Sequence, residues 1–347
     1  MLELVKAVRR FGLGHMMKLR HAYRFAWENM FEGYLATTSM HALLNIGLID
    51  ELQEKGTVDI DSFAAAHGLD INVLRPLCEA FHSIGLFRKD GASRYSLEPK
   101  CQSVPEVMHG WLELSWGYNE IFHSLEALLK KEKTYSKDFY RRSDFVARGS
   151  GEMENWFFFP MANDIILSHG YKHVLDLGCG DGTFLRKLCK LNPEVQCYGI
   201  DIAPDAIEEG KQKVHEAGLE DRISLFAEDI SKIEAASGPL QGVDAATIFF
   251  VLHELLYFGE DVLLNFLKSF RRVFPNVPLI AFEAVRPTAE QLRRRAGMAV
   301  YYFLYHDLSQ QKPVDRERWK ELFRAAGFGS IQEKNLSFLR SAVYILQ

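Results

Sequence analysis

The pattern of apolar and polar residues changes near residue 165. Before that point, apolar residues recur every three or four positions, which is the spacing of amphipathic helices. From about residue 171, short unbroken apolar runs alternate with helical segments. Such runs are typical of strands in a parallel sheet that is covered on both faces. The pattern predicts a mostly helical front part followed by a doubly wound α/β domain.

The α/β part is predicted to contain five parallel strands and one antiparallel edge. Helical segments separate the apolar runs, among them one from Pro204 to Ala217. The final run, 341–346, is predicted to pair with 330–334 as the antiparallel edge. The parallel strands are expected at 171–177, 196–201, 224–227, 244–250 and 278–284.

The front part contains two helices and a hairpin in close succession. A short helix is predicted to begin at the capping residue Thr57 and to stop at Gly68, and a second helix with one apolar face covers 70–85. Residues 86–89 and 94–97 flank an Asp-Gly-Ala-Ser turn, which predicts a hairpin. Together these elements predict a winged helix.

Charge argues against a nucleic-acid partner for this winged helix. The chain carries a formal net charge of −5, whereas binding to phosphates needs clustered Lys and Arg. Residues 57–100 hold about as many acids as bases, and the second helix presents Asn72, Arg75 and Glu79. The module is therefore predicted to form a homodimer and to act as a lid.

Cysteine usage and hydropathy indicate a reducing compartment. The five cysteines are scattered, with no CxxC pair, which suits free thiols in a cytoplasmic protein. The basic, amphipathic N-terminal segment lacks a small-residue cleavage site and is predicted to be a helix rather than a targeting signal. No apolar run approaches the ~18 residues of a membrane span, so no membrane partner is expected.

The length of 347 residues suits two domains. We expect a winged-helix-like dimerisation domain over 1–105 and a helical linker that also walls a pocket over 106–165. The α/β catalytic domain is expected over 166–347.

The segment from Val174 to Gly182, VLDLGCGDG, predicts a nucleotide pocket. A strand leads into it and a helix follows, and Gly178 and Gly180 allow a sharp turn with a close backbone approach to a ligand. Asp201 lies 23 residues after Gly178, at the end of the next strand, where a carboxylate reaches ribose hydroxyls. The glycine pattern is GxGxG, and the carboxylate of Asp176 would repel a pyrophosphate, so a cationic ligand with an ammonium and a sulfonium fits better.

This segment resembles the first motif of the class I S-adenosylmethionine-dependent methyltransferases, a Rossmann-like family. The resemblance implies S-adenosylmethionine as cofactor, with Asp176, Gly178 and Gly180 at its methionine part. It also implies that Asp201 and Ile202 bind the ribose and adenine. Asp229, Ile230 and Met161 would lie at the adenine or near the cofactor.

The order of winged helix, helical linker and catalytic domain resembles the plant-type and bacterial small-molecule O-methyltransferases. In that family a His-Asp pair follows the fourth strand, and the His is the general base for the substrate hydroxyl. His253 matches the His, and Glu254 stands at the position of the Asp. Imidazole suits this role because its pKa lies near neutral. The resemblance implies O-methylation of a small-molecule acceptor by a homodimer.

A second histidine, His306, leaves another chemistry open. If His253 and His306 both face the pocket, they are candidate ligands for a divalent metal together with substrate oxygens or a carboxylate. The segment also resembles the α-keto acid C-methyltransferases, in which a metal stabilises the enolate of the keto acid. Some of those carry Met where this chain has Phe250. Arg148 and Arg286 are candidate partners for the carboxylate of a keto acid.

Two further functions are compatible with the same features. A winged-helix regulator that senses S-adenosylmethionine is the alternative from another class, and it predicts salt-sensitive binding to DNA. A member of the fold that uses the cofactor for chemistry other than methyl transfer is the third possibility.

Overall fold

The computed structural model describes residues 2–236, 240, 242–294 and 297–347. The chain divides into two compact units, Met1–Trp116 and Gly117–Gln347. A continuous helix runs from Ser143 to His169, across the boundary expected at 165. The turn of that helix onto the first strand of the α/β domain comes at Gly170, which adopts a left-handed conformation at φ 73°.

The first unit consists of helices around a small antiparallel sheet. Its core is formed by apolar residues of the helices and strands, with Leu43, Leu48, Phe81 and Phe87 fully buried. The helices are α1 (Leu2–Phe11), α2 (Leu13–Ala26), α3 (Glu32–Asn45), α4 (Leu48–Lys55), α5 (Ile60–His67), α6 (Ile71–Ser83) and α7 (Val104–Gly117). The strands are β1 (Val58–Asp59), β2 (Phe87–Asp90) and β3 (Arg94–Leu97), in the order β1-β3-β2.

The elements expected between residues 57 and 97 are present, but the first helix begins later than expected. The hairpin of β2 and β3 is confirmed, and the left-handed Gly68 ends α5 as predicted. The expected start of that helix at Thr57 is wrong. Residues 58 and 59 form strand β1 instead, and the side chain of Asp59 accepts the capping hydrogen bond from the amide of Ser62.

The helices of the second unit surround a twisted sheet. They are α8 (Asn119–His123), α9 (Leu125–Leu129), α10 (Ser143–His169), α11 (Thr183–Leu191), α12 (Pro204–Glu216), α13 (Ile233–Ala236), α14 (Leu252–Phe258), α15 (Glu260–Val273), α16 (Ala289–Arg294), α17 (Gly297–Leu308) and α18 (Arg316–Ala325). Two apolar clusters occupy its interior, one containing Phe266, Phe270 and Trp319 and the other containing Phe159 and Phe184. The unit thus has the layered α/β architecture that the apolar runs predict.

Within the described residues this sheet has seven strands in the order β6-β5-β4-β7-β8-β10-β9. The strands from β4 to β8 are parallel, and β10 joins β8 and β9 antiparallel, as predicted. The order reverses between β4 and β7, which is the position where ligands bind in such sheets. The strands are β4 (His173–Leu177), β5 (Gln196–Asp201), β6 (Ile223–Ala227), β7 (Ala245–Phe249), β8 (Leu279–Ala284), β9 (Ile331–Leu336) and β10 (Ser341–Leu346).

Among the residues that the structure describes, no helix is both long and apolar enough to cross a membrane.

Candidate active site

The glycine loop after β4 forms the first part of the site. Gly178 has φ 81°, and its amide donates to the carbonyl of Ile200 at 2.8 Å. A Cβ atom at Gly178 would lie 2.7 Å from Cγ2 of Val251, whereas one at Gly180, which has φ 53°, would meet no atom within 4 Å. The loop therefore packs tightly at Gly178 and leaves open space beside Gly180. A nucleoside ligand needs such space to approach the backbone closely.

Asp176 is a buried carboxylate beneath this loop. Its residue is only 2% exposed, and its Oδ1 accepts a hydrogen bond from the hydroxyl of Thr247 at 2.7 Å. The pairing of β4 with β7 sets these two residues side by side. Burial raises the pKa of Asp176 to about 7, against the opposing effect of the Thr247 hydrogen bond. A buried carboxylate with so few donors fits a cationic ligand.

Asp201 organises the loop from the end of β5. One carboxylate oxygen accepts from the amide of Gly180 at 2.8 Å, and the other accepts from the amide of Ala203 at 2.9 Å. Asp201 thus links the glycine loop to the start of α12. These contacts show a structural role for the carboxylate at the position where the sequence predicts contact with a ribose.

The other residues expected at the cofactor differ in their exposure. Ile202 is 70% exposed beside Asp201. Asp229 caps a short 3₁₀ turn by accepting from the amide of Ser231, and Ile230 is buried in the core. Met161 lies on α10 and packs partly buried against the second apolar cluster.

His253 is held by a carboxylate that the sequence analysis missed. It lies in the first turn of α14, is 3% exposed, and its Nδ1 lies 2.9 Å from Oε2 of Glu283. The backbone amides of His253 and Ala284 also donate to this carboxylate. A carboxylate only accepts, so Nδ1 carries the proton and the lone pair of the neutral ring is at Nε2. The one sequence feature that pointed to Glu283 is that it is the only charged residue in the apolar run of β8.

The environment of His253 shifts its pKa in two opposing directions. Burial is the largest single effect and lowers the pKa, but the charge and hydrogen bond of Glu283 and the charge of Glu254 together raise it above its usual value. Glu283 is itself fully buried. The arrangement matches that of a base whose ring is oriented by an acid behind it.

His306 lies beside His253, a proximity that the sequence alone did not establish. The centroids of the two rings are 5.3 Å apart. Nδ1 of His306 donates to the carbonyl of Tyr302 at 2.7 Å, so its Nε2 also holds a lone pair. Burial lowers the pKa of His306 well below its usual value, and the charge of His253 adds to this effect. His306 is therefore neutral at neutral pH.

Glu254 forms an ion pair on the opposite side of His253. Its two oxygens accept from Nη2 of Arg141 at 2.9 and 2.8 Å. Its Oε1 lies 3.8 Å from Nε2 of His253, beyond hydrogen-bond range. Arg141 also donates from Nη1 to the hydroxyl of Tyr118 at 2.7 Å.

The two arginines considered for a carboxylate group are already engaged. Arg148 is 54% exposed and lies 3.9 Å from Asp144. Arg286 forms an ion pair with Asp307 and donates from Nε to the carbonyl of Pro313. Arg286 nevertheless lies near His306, because it pairs with the next residue and its charge contributes to the lowered pKa of His306.

His253 and His306 together provide two nitrogen atoms that are suitable as metal ligands. Both rings have their Nδ1 engaged by an oxygen and their Nε2 lone pair available, which is the usual state of a metal-binding histidine. Across the described ranges, no group of three or more His, Cys, Asp or Glu side chains is arranged to hold a metal. The two histidines fit a metal only if the acceptor or water supplies the remaining ligands.

Comparisons with known proteins identify a methyltransferase domain in this chain. A family model described as a methyltransferase domain matches residues 175–274, which span the glycine loop and His253. Methyltransferase ungE' of Aspergillus campestris is 23% identical over 90% of this chain and 94% of its own length. The 2-ketoarginine methyltransferase of Streptomyces arginensis is 24% identical over 85% and 86%.

Solved structures share the fold over nearly the whole chain. Mitomycin 7-O-methyltransferase has a TM-score of 0.67 at 15% identity and covers 95% of this chain and 99% of its own. Human N-acetylserotonin methyltransferase, solved with S-adenosylmethionine, has a TM-score of 0.62 at 17% identity, with 94% and 97% covered.

The doubly wound sheet with its GxGxG loop and buried acid defines an enzyme that binds S-adenosylmethionine and transfers a methyl group. The matched domain and the similar proteins identify a methyltransferase, and the site is similar to that of the class I S-adenosylmethionine-dependent methyltransferases. The expectations for fold class, enzyme class and cofactor are thereby confirmed.

Proposed function

We propose that this enzyme methylates a small-molecule acceptor after His253 has removed the acceptor's proton. The pair of His253 and Glu283 carries this proposal, because the 2.9 Å contact fixes the ring with Nε2 as the proton acceptor. A hydroxyl is the acceptor group that such a base serves most directly, so O-methylation is the first candidate. Loss of the proton makes the oxygen a stronger nucleophile, and alignment with the methyl donor supplies much of the rest of the rate.

The cofactor residues have separate parts in this proposal. S-adenosylmethionine supplies the activated methyl group when it is bound. We assign its methionine part to Asp176 and the loop of Gly178 and Gly180, because the buried carboxylate complements an ammonium group. Asp201 and Ile202 would hold the ribose and adenine, with Asp229, Ile230 and Met161 nearby.

Cofactor binding is expected to strengthen as the pH rises through about 7. In the free enzyme burial raises the pKa of Asp176 to about 7, so this carboxyl is neutral below that pH and charged above it. A cationic ligand favours the charged form, so its dissociation constant should fall between about pH 6 and 8, by at most about tenfold per pH unit. Calorimetry with S-adenosylmethionine across this range measures the change.

The variant Asp176→Asn is the control for this pH effect. The amide keeps the shape of the side chain and an oxygen for the Thr247 hydroxyl, but it does not ionise. We expect weaker binding with little dependence on pH between 6 and 8. An equally steep pH dependence in this variant would remove Asp176 as its source.

The position of His306 favours a second candidate function, C-methylation of an α-keto acid. Its ring lies 5.3 Å from that of His253, and both rings present an Nε2 lone pair. His253 and His306 would together hold a divalent metal, which would act as a Lewis acid on the keto acid. The name of the 2-ketoarginine methyltransferase, similar over most of the chain, supports an acceptor of this class.

A panel of acceptors with and without a chelator separates the two candidates. The purified enzyme is incubated with isotope-labelled S-adenosylmethionine and either phenols or α-keto acids, and the products are analysed by mass spectrometry. O-methylation predicts a methyl ether whose formation resists the chelator. C-methylation predicts a 3-methyl keto acid, no product after chelation, and recovery when a divalent metal is restored. The absence of a methylated product from both classes would contradict the proposed acceptor range.

We further propose that the enzyme is a homodimer that pairs through its N-terminal helices. No residue of α2 for which burial is described is buried, and large apolar side chains are exposed along this region. Such an array is unusual on a protein that acts alone. A second copy of the same chain is the partner that fits. The exposed residues include Phe11, Leu13, Met17, Tyr23, Phe25, Trp27, Phe31 and Tyr34.

A further inference from the structure

Arg141 holds Glu254 through two hydrogen bonds from one nitrogen. Nη2 of Arg141 lies 2.9 Å from Oε1 and 2.8 Å from Oε2 of Glu254, so neither oxygen lacks a donor. The side chains are 22% and 31% exposed, which places the pair at the edge of the interior, where its charges are partly shielded from water. A pair in this setting is stronger than an exposed ion pair.

Arg141 is itself fixed by a second set of contacts. Its Nη1 donates to the hydroxyl of Tyr118 at 2.7 Å, and that hydroxyl donates to Oε1 of Gln311 at 3.2 Å. The ring of Tyr118 stacks on Tyr305 with centroids 4.1 Å apart. The guanidinium is thus held from two directions and has little freedom to leave Glu254.

Glu254 would have a different effect if it were unpaired. Its Oε1 lies 3.8 Å from Nε2 of His253, the nitrogen that faces the acceptor in the proposed reaction. Removal of a proton leaves the acceptor with a negative charge next to this nitrogen. A bare carboxylate so close would repel that charge, and it would accept a hydrogen bond from Nε2 once the ring has taken up the proton. In the structure both oxygens accept from Arg141, whose positive charge opposes that of the carboxylate.

We propose that Arg141 is a positioning residue that keeps Glu254 paired and away from Nε2 of His253, so that an anionic acceptor forms there. The inference rests on the proposed role of His253. It assigns Arg141 an effect on the rate of methyl transfer and no contact with the cofactor. Lysine is a poor substitute, because a single ammonium does not provide the planar array of donors that spans Glu254 and Tyr118.

The test compares Arg141→Met, Glu254→Leu and the double variant in full-length enzyme. Steady-state kinetics are measured with the best acceptor from the panel, and calorimetry measures binding of S-adenosylmethionine. We expect Arg141→Met to lower kcat at least tenfold with cofactor affinity unchanged, because Glu254 is left unpaired. Glu254→Leu should lose less kcat than Arg141→Met, and the double variant should recover to the level of Glu254→Leu.

The expected difference between the kcat losses of Arg141→Met and Glu254→Leu distinguishes a positioning role from a structural one. A purely structural ion pair predicts similar losses in the two single variants, since each leaves one partly buried charge without its ionic partner. Equal kcat losses in both, or no recovery in the double variant while thermal melting shows all proteins folded, would overturn the proposal. Arg142→Met is the matched control, because Arg142 is 62% exposed and pairs with Asp144; it should keep the parental kcat.

Failure of this inference is separable from failure of the proposed function. If His253→Ala transfers methyl groups at the parental rate, the role of His253 is wrong. If His253→Ala is inactive and Arg141→Met is as fast as the parent, only the role of Arg141 is wrong.

Discussion

Replacing His253 by alanine should lower kcat by about 10²- to 10⁴-fold, the range for loss of a general base. The ring that would accept the proton at Nε2 is then absent, and the buried Glu283 loses its side-chain partner and keeps only the backbone amides of residues 253 and 284. Binding of S-adenosylmethionine should change little, because the glycine loop and Asp176 belong to β4 and the segment after it. Kinetics with the acceptor and calorimetry with the cofactor measure the two effects separately.

A surface histidine provides the control for this experiment. His169 is exposed at the end of α10 and makes its hydrogen bond within that helix. His169→Ala should retain the parental kcat. Glu283→Gln keeps an oxygen for Nδ1 but removes the charge, so it should give a smaller loss than His253→Ala. Parental rates in His253→Ala with every accepted substrate would refute the proposed role of this residue.

Replacing Asp201 by alanine should weaken the binding of S-adenosylmethionine by about 1–3 kcal/mol, or roughly 5- to 150-fold. Two losses combine in this variant. The ligand loses a carboxylate partner at the proposed ribose position, and the amides of Gly180 and Ala203 lose the acceptor that shapes the loop. Calorimetry with the cofactor and its demethylated product measures the change.

A neighbouring acid gives a matched control for Asp201. Asp205 is exposed in the first turn of α12, four residues after Asp201, and no described hydrogen bond joins it to the loop. Asp205→Ala should bind the cofactor with nearly parental affinity. Equal affinity in Asp201→Ala and the parent would contradict the assignment of the pocket.

The elements of the α/β unit were predictable because they depend on neighbouring residues. The parallel strands are short apolar runs, and the loop conformation follows from Gly178, Gly180 and Gly182, which all adopt positive φ. These local preferences act over a few residues and therefore appear in the sequence. The start of α5 was misplaced because Thr57 and Asp59 are both capping residue types, and local preference does not choose between them.

The partner of His253 was not predictable in the same way. Glu254, its neighbour in sequence, was assigned to the site, but the structure pairs it with Arg141, 113 residues away. Glu283 reaches His253 because the parallel pairing of β7 and β8 sets Phe249 beside Phe282. The chain then turns at Phe250, which has φ 54°, and returns as α14 above the end of β8.

The sequence by itself determined the fold class and the cofactor loop, since these depend on apolar periodicity and on glycines at fixed spacing. The type of enzyme followed from the resemblance of that loop to the first motif of a known family. Only the tertiary structure decided which acid orients His253, that His306 lies beside it, and that Arg141 neutralises Glu254. These contacts join residues between 30 and 113 positions apart. They arise from strand register and helix packing, which no single stretch of sequence contains.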